Sequence, residues 1–277
     1  MTATETATQA LLKEVTAEFA TLPEVTAVAF AGSRMGEFSD GSSDIDLCVY
    51  ARTEPPEAWR TRLAQKFGSQ ASIGNRFWET GDEWVATRTG TVIDIMYRSP
   101  AWIEEQLDRV WHGHQASVGY STCFVYNVLH SQLLHDRDGW FASLQARMGQ
   151  PYPEPLRRAI VAKNHPVLRG LHSCYVHQIT LALDRDDRVS VNHRVAALLA
   201  SYFDILFAVN RFPHPGEKRL VAYVLAKCPK RPPEFQQQIN ELLSAAGTND
   251  RSNILGRINE LLDGLDALLI AEDLIAP

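Results

Sequence analysis

The sequence lacks three features that would place it in a familiar class of protein. Its four cysteines are scattered with no CxxC pair, which excludes a disulfide framework or a zinc site and predicts reduced thiols. The longest apolar stretch, 195–209, is interrupted by Asp204 and is too short for a bilayer, so it predicts a core helix. The first residues show no basic segment followed by an apolar one. We therefore expect a cytoplasmic protein with no signal peptide and no membrane partner.

The sequence also lacks an excess of basic charge. Lys and Arg number 27 against 33 Asp and Glu, a net charge of −6 at pH 7. Binding along a nucleic-acid backbone needs clustered Lys and Arg, so the balance disfavours nucleic acid as a partner without excluding a local basic patch. With 277 residues, 45% of them hydrophobic, the chain is long enough for two globular domains.

Local patterns divide the chain into a mixed part and a helical part. Apolar runs predict strands over 25–30 and 45–50, and a hairpin of 84–89 and 91–98 around Gly90. Helical spacing is predicted over 8–20, from Pro55-Pro56 to about 67, from Trp102, and then over 117–135, 138–148, 154–184, 189–210, 215–228, 233–245 and 250–273. The prediction is an α+β N-terminal domain, 1–115, with a small mixed sheet flanked by helices, followed by an all-α helical bundle, 116–277.

Two aspartates stand one residue apart in an apolar segment. Asp44 and Asp46 flank Ile45 and are followed by Leu47 and Val49. Residues i and i+2 of a strand point to the same face, so the two carboxylates project together. Like charges that close repel unless a cation lies between them. The segment therefore predicts a divalent metal, and magnesium is the ion that prefers carboxylate and phosphate oxygens.

A third acid and a Gly-Ser pair extend this pattern. Asp94 lies between isoleucines, and an acid inside an apolar strand requires a partner or a metal. If its strand lies beside the one carrying Asp46, three carboxylates converge and can hold one or two magnesium ions. Gly32 lets the backbone approach a phosphate, the Ser33 hydroxyl can donate to its oxygens, and Arg34 is a candidate phosphate contact.

The order of these features resembles the nucleotidyltransferase superfamily typified by DNA polymerase β. That family's pattern is a Gly-Ser pair, then Asp-x-Asp, then a third acid between apolar residues. Here the matching segments, within about 26–98, are Gly32-Ser33, Asp44-Ile45-Asp46 after ten residues, and Ile93-Asp94-Ile95. In architecture, the helical second half resembles the bacterial nucleotidyltransferases that modify aminoglycoside antibiotics, and bacterial nucleotidyltransferase-domain proteins with a helical C-terminal domain.

The resemblance implies a role for each residue of the motif. Asp44 and Asp46 would hold the metal that bridges a nucleoside triphosphate, while Gly32 and Ser33 would bind its terminal phosphates. Asp94 would be the third ligand, or the base that takes a proton from the acceptor hydroxyl.

Two further assignments lie outside the motif. In the antibiotic-modifying enzymes a separate glutamate often serves as base, and no pattern selects among Glu79, Glu83, Glu104 and Glu105. Lys218 follows a Pro-Gly turn and resembles, in position, the lysine with which related enzymes contact phosphate. The resemblance therefore implies that Lys218 faces the triphosphate from across the cleft.

We therefore expect an enzyme that transfers AMP from ATP, or another nucleoside monophosphate from its triphosphate, to a hydroxyl of a small-molecule acceptor, releasing pyrophosphate. The helical domain is expected to close the cleft and select the acceptor. An aminoglycoside-like antibiotic suits the acidic chain, because carboxylates attract a polycation. Two alternatives stay open: the same chemistry on a protein or an RNA end, as in some toxin–antitoxin enzymes, and a nucleotide-binding protein without turnover. The oligomeric state is not indicated.

Overall fold

The computed structural model describes residues 3–32, 44–77, 79–248 and 250–277. The chain divides into two compact units, neither of them continuous in sequence. The first unit consists of Met1–Asp108 and Asn127–Gln150, and the second of Arg109–Tyr126 and Pro151–Pro277. This division differs from the predicted 1–115 and 116–277, because a segment from the middle of the chain returns to the first unit.

The first unit is built on a mixed sheet, which confirms the predicted α+β fold class. In the described part of the chain the strands form a six-stranded sheet of order β3-β4-β5-β2-β1-β6. The strands are β1 Val25–Ala31, β2 Ile45–Ala51, β3 Gly68–Asn75, β4 Gly81–Ala86, β5 Val92–Arg98 and β6 Gln132–Asp136. β2 and β5 run parallel, and the other neighbouring pairs are antiparallel.

One face of this sheet holds the hydrophobic core of the first unit. Alternate residues of the central strands, including Ile45, Leu47 and Ile95, are fully buried on this face. Side chains of α1 and α2, such as Leu11 and Leu63, belong to the same cluster. The helices that precede Gln150 are α1 Ala3–Ala20, α2 Glu57–Phe67, α3 Pro100–Trp111, α4 Cys123–His130 and α5 Trp140–Met148.

The predictions of local structure fail at two strands. Residues 117–135 were predicted to be one helix, but this segment contains the short helix α4 and then β6 at the sheet edge. The strand β3 was not predicted, because Gly68–Asn75 has neither an apolar run nor a regular alternation. Both are edge strands, whose exposed side needs no apolar residues and so leaves a weak signal in the sequence.

The second unit is helical after residue 150, as predicted, but the helix predicted over 154–184 is interrupted between His165 and Tyr175. Its elements there are α6 Glu154–His165, a π-helical turn Pro166–Gly170, α7 Tyr175–Asp184, α8 Arg188–Val209, α9 Leu220–Lys227, α10 Phe235–Ala246 and α11 Arg251–Ala271. Every residue of α8 from Ser201 to Val209 is buried, which confirms the predicted core helix. No helix in the described ranges combines the length and the apolar character needed to cross a bilayer.

A single carboxylate lies deep within the second unit. Asp204 on α8 is 1% exposed, and its two oxygens accept hydrogen bonds from the Ser121 amide (3.0 Å), the Ser121 hydroxyl (2.6 Å) and the Asn164 side-chain amide (3.2 Å). Asn164 also accepts from the Gly119 amide and donates to the Ser117 carbonyl. Burial raises the pKa of Asp204 to about 7, against the effect of its donors.

Candidate active site

The second face of the sheet changes character along β2. Odd-numbered residues of β2 point into the core, so Asp46, Cys48 and Tyr50 project from the opposite face. Tyr50 is covered by the rings of Trp140 and Phe141 on α5, with centroids 5.3 Å and 5.2 Å away. At the other end of the strand Asp46 is only partly buried. This face is therefore closed at one end and open at the end that carries the aspartates.

The strand register places three acids side by side at the open end. Asp46 on β2 pairs with Asp94 on β5, and Asp94 pairs with Glu83 on β4. Paired residues of neighbouring strands point to the same face, and the strands lie about 4.8 Å apart. Two carboxylates at about 5 Å repel by about 3 kcal/mol near a protein surface. We call Asp46, Asp94 and Glu83 the acidic row.

The charge of the acidic row is reflected in Asp94. The pKa of Asp94 is raised, first by burial and then by the negative charges of Glu83, Asp44 and Glu79. Asp44 is exposed and stands immediately before β2. No lysine or arginine forms an ion pair with Asp94, Glu83 or Asp44 among the described residues. A bound cation would lower the pKa of Asp94 and relieve the repulsion.

Gly32 meets the acidic row from the β1 side. Its backbone is left-handed, with φ +78°, and a Cβ built on it would lie 1.6 Å from Oδ2 of Asp46. A side chain at this position would therefore displace the Asp46 carboxylate, and only glycine leaves the backbone and the carboxylate in contact. The closeness of Gly32 and Asp46 follows from the pairing of Ala31 with Asp46.

On the other side of Asp94 the sheet forms a cleft of ≈ 280 Å³. Its lining includes Asp44, Glu79, Glu83 and Asp94, together with the polar Asn75. The cleft lies over β3, β4 and β5, whereas Gly32 lies beyond β2 at the end of β1. Asp94 and Asp46 therefore lie between two parts of the open face. The backbone of Gly32 lies on one side of them, and the acidic cleft lies on the other.

Glu79 of the cleft lining forms an ion pair with the buried Arg98 at the end of β5. The Arg98 guanidinium, 7% exposed, donates to both carboxylate oxygens of Glu79, each at 2.7 Å. It also donates to Asn127 Oδ1 at 3.2 Å and to Cys48 Sγ at 3.4 Å. Sequence analysis missed this pair, although Arg98 shares the face of Asp94 because the two are four residues apart on one strand.

These contacts separate the four glutamates proposed as the general base. Glu79 is held by Arg98, and Glu104 accepts a hydrogen bond from the Trp140 indole at 2.7 Å. Glu105 is exposed on α3, outside the lining of the cleft. Glu83 is the candidate that stands beside Asp94, because their strands are paired at that position.

The structure does not test the remaining predicted site residues, Ser33, Arg34 and Lys218. Ser33 and Arg34 lie outside the described residues. Lys218 belongs to the second unit, is exposed, and precedes α9 by two residues. Its predicted contact with a triphosphate stays a prediction.

The carboxylate oxygens of the acidic row suit some metal ions better than others. Among the described residues no group of three His, Cys, Asp or Glu side chains is arranged to hold a metal by itself. Asp46 and Asp94 supply two adjacent carboxylates with Asp44 nearby. Magnesium is usually held by one or two carboxylates and completes its shell with water and substrate phosphates, so these residues fit magnesium rather than a metal enclosed by protein ligands.

Comparisons with known proteins give likenesses of overall structure but none of sequence family. No protein-family model matches the chain, and no curated protein sequence matches it. The structure is similar to a crystal structure of a nucleotidyltransferase-like protein from Exiguobacterium sibiricum 255-15, with 14% sequence identity and a TM-score of 0.46. The match covers 94% of this chain and 75% of the other.

Proposed function

We propose that the chain is a magnesium-dependent nucleotidyltransferase that moves AMP from ATP to a hydroxyl of a small cationic acceptor and releases pyrophosphate. The pairing of Asp46 with Asp94, beside the glycine backbone at Gly32, is the observation that carries this proposal. Two adjacent carboxylates next to a side-chain-free backbone suit a metal bound to a polyphosphate.

Each member of the site has a separate task in this reaction. Asp46 and Asp94, with Asp44, would hold the ion. The ion would stabilise the negative charge that develops on the phosphate oxygens during the transfer. The acceptor oxygen forms a bond to the α-phosphorus while the bond to the bridging oxygen of the β-phosphate breaks, so pyrophosphate leaves. The proton of the acceptor hydroxyl goes to Glu83, the carboxylate of the acidic row that is exposed and not needed for the ion.

The charge of the cleft supports a cationic acceptor. Four of its lining residues are acids, Asp44, Glu79, Glu83 and Asp94, and only Glu79 is paired with a described cation. A cleft of one sign concentrates ligands of the opposite sign and repels the phosphates of an RNA end. Amino sugars of the aminoglycoside type combine several ammonium groups with hydroxyls and therefore match both requirements.

Pyrophosphate release is the test of this proposal. The full chain is incubated with ATP, magnesium and a panel of hydroxyl-bearing amino sugars, and pyrophosphate is measured with and without the metal. We expect release that requires magnesium and an acceptor and that is lost in Asp46→Asn. If no nucleoside triphosphate yields pyrophosphate with any acceptor, the proposal is wrong and nucleotide binding without turnover takes its place.

A further inference from the structure

We infer that Phe77, in the lining of the acidic cleft, is a specificity-determining contact for the acceptor. This inference rests on the proposed function, because it assigns one side of the same site to the acceptor. Phe77 lines the acidic cleft and is 88% exposed, the highest exposure among the large hydrophobic side chains described. Because the ring is exposed and lines the cleft, a ligand in the cleft can reach it.

The position of Phe77 assigns it to the acceptor rather than to the triphosphate. The close backbone approach that suits phosphate is at Gly32, after β1, on the far side of Asp46 and Asp94. Phe77 follows β3, which is the edge strand farthest from β1 and β6, and it shares its cleft with Glu83 and Asn75. A molecule that presents its hydroxyl to the acidic row from this cleft can contact the ring of Phe77, because both belong to one lining.

The connection that carries Phe77 is anchored at both of its ends. Before it, the Gly74 amide donates to Asp82 at 2.8 Å, and Asp82 is fixed by Arg60 and the Tyr97 hydroxyl. After it, the Thr80 carbonyl accepts from the Tyr97 amide at 2.9 Å. These bonds set the two ends of the connection on the sheet.

The Arg98–Glu79 pair holds the Glu79 side chain, which lines the same cleft. Glu79 is two residues from Phe77, and both of its oxygens are bound to a guanidinium that is itself buried. A two-point bond between planar groups sets orientation as well as distance. The position of the Glu79 carboxylate in the cleft is therefore set before a ligand arrives, which favours binding.

The chemistry of the cleft defines what Phe77 recognises. Its neighbours in the lining are acids, which attract ammonium groups, and a cation over the face of an aromatic ring gains further attraction. The ring also covers apolar C–H groups of a sugar. We assign Phe77 to a ring-bearing ammonium compound and not to an acyclic polyol.

The test is calorimetric titration of the full chain with kanamycin, a polycationic amino sugar, without nucleotide, and separately with magnesium and a non-hydrolysable ATP analogue. We expect Phe77→Ala to weaken kanamycin binding about tenfold and to leave the affinity for the analogue unchanged. Phe77→Trp should retain the affinity for kanamycin. The matched control is Val189→Ala, another apolar residue that is 81% exposed but lies in the second unit, and it should change neither affinity.

Arg98→Lys tests the positioning of Glu79 in the cleft, because it keeps the charge and loses the two-point bond to Glu79. We expect about a threefold loss of kanamycin affinity with no change for the ATP analogue. A merely structural role would lower the melting temperature and leave the kanamycin affinity of the folded protein intact. If this variant does not fold, the Phe77 substitutions decide.

Three outcomes overturn the inference: an unchanged kanamycin affinity in Phe77→Ala, an equal loss for kanamycin and the ATP analogue, or no binding of kanamycin by the unsubstituted chain. In each case magnesium-dependent pyrophosphate release, measured with other acceptors, judges the proposed function separately.

Discussion

In the second unit Asp204 is buried among three hydrogen-bond donors from Ser121 and Asn164, whereas in the first unit Asp46, Asp94 and Glu83 lie side by side across three strands. The donors around Asp204 replace the water that it lost on folding. The acidic row instead brings negative charges together. The difference separates an acid that is surrounded by hydrogen-bond donors from acids that are placed beside one another.

The first unit contains its own example of an acid surrounded by hydrogen-bond donors. Asp82 is 1% exposed and accepts hydrogen bonds from Arg60, the Gly74 amide and the Tyr97 hydroxyl. It is adjacent in sequence to Glu83 but points to the other face of β4. Of these two neighbouring acids, Asp82 is therefore part of the hydrogen-bonded core, and Glu83 belongs to the candidate site.

The largest effect is expected when a carboxylate of the acidic row is neutralised. Asp46→Asn or Asp94→Asn should reduce magnesium-dependent pyrophosphate release at least about 100-fold, because each removes a ligand charge from the metal. Urea unfolding should show unchanged or increased stability, since a repulsion is relieved. A variant with near-full activity would contradict the metal assignment. A large loss of stability would show that the substituted acid stabilises the fold as Asp204 does.

The opposite result is expected for Asp204. Asp204→Ala leaves the Ser121 amide, the Ser121 hydroxyl and the Asn164 amide without their acceptor, and we expect a loss of about 2–4 kcal/mol in the free energy of unfolding. Turnover per folded molecule should change far less than in Asp46→Asn. Urea unfolding measures the first quantity, and a stability equal to that of the unsubstituted chain would show that this network contributes nothing.

The protonation of Asp204 predicts how stability depends on pH. Its pKa is raised in the folded state to about 7 from an ordinary 3.8, so the folded chain retains a proton that the unfolded chain has lost. This contribution is therefore fully present below about pH 4 and is lost as the pH rises to about 7, by at most about 4 kcal/mol. Asp204→Asn should flatten this part of the pH profile, and an unaltered profile would assign the proton elsewhere.

A smaller effect is expected at Gly32. In Gly32→Ala the new Cβ meets the Asp46 carboxylate on a backbone with positive φ, so the carboxylate must shift. We expect pyrophosphate release to fall about 10- to 100-fold and stability to fall by about 1 kcal/mol. Gly90→Ala is the control, because Gly90 also has positive φ but nothing lies within 4 Å of its Cβ position. Equal losses of activity in the two variants would remove Gly32 from the site.

The smallest effect concerns the contribution that the sequence predicts from the second unit. Lys218→Ala should weaken binding of the ATP analogue about threefold to tenfold, the size of one exposed phosphate contact, and leave kanamycin binding unchanged. The exposed Lys227, at the end of α9, provides a control substitution of the same type. Equal weakening for both ligands would move Lys218 away from the phosphates.

The sequence was sufficient to predict the central strands and the acids on them. The alternation around Asp44-Ile45-Asp46 and Ile93-Asp94-Ile95 is local, and it leads directly to β2, β5 and their shared open face. The pairing of those two strands was an additional assumption, and the parallel register of Asp46 with Asp94 confirms it. The chemical roles of these residues stay predictions.

What could not be predicted depends on contacts between distant parts of the chain. The segment 127–150 joins the first unit because β6 pairs with β1, a contact that no local pattern of Gln132–Asp136 announces. The bond of Arg98 to Glu79 and Asn127 likewise links three segments. Choosing among the candidate bases needed this information, since it shows which glutamates are already engaged.

The core and the acidic row occupy opposite faces of the same strands. The insertion of a single residue in β2 would therefore affect the core face and the opposite face together. Insertion of one residue between Asp46 and Leu47 would turn the following part of β2 over, directing Cys48 and Tyr50 inward and Leu47 outward. Selection for a foldable chain thus also preserves the alignment of the carboxylates. Changes in β2 are therefore constrained both by the core and by the carboxylates, because both depend on the two-residue alternation of side chains along the strand.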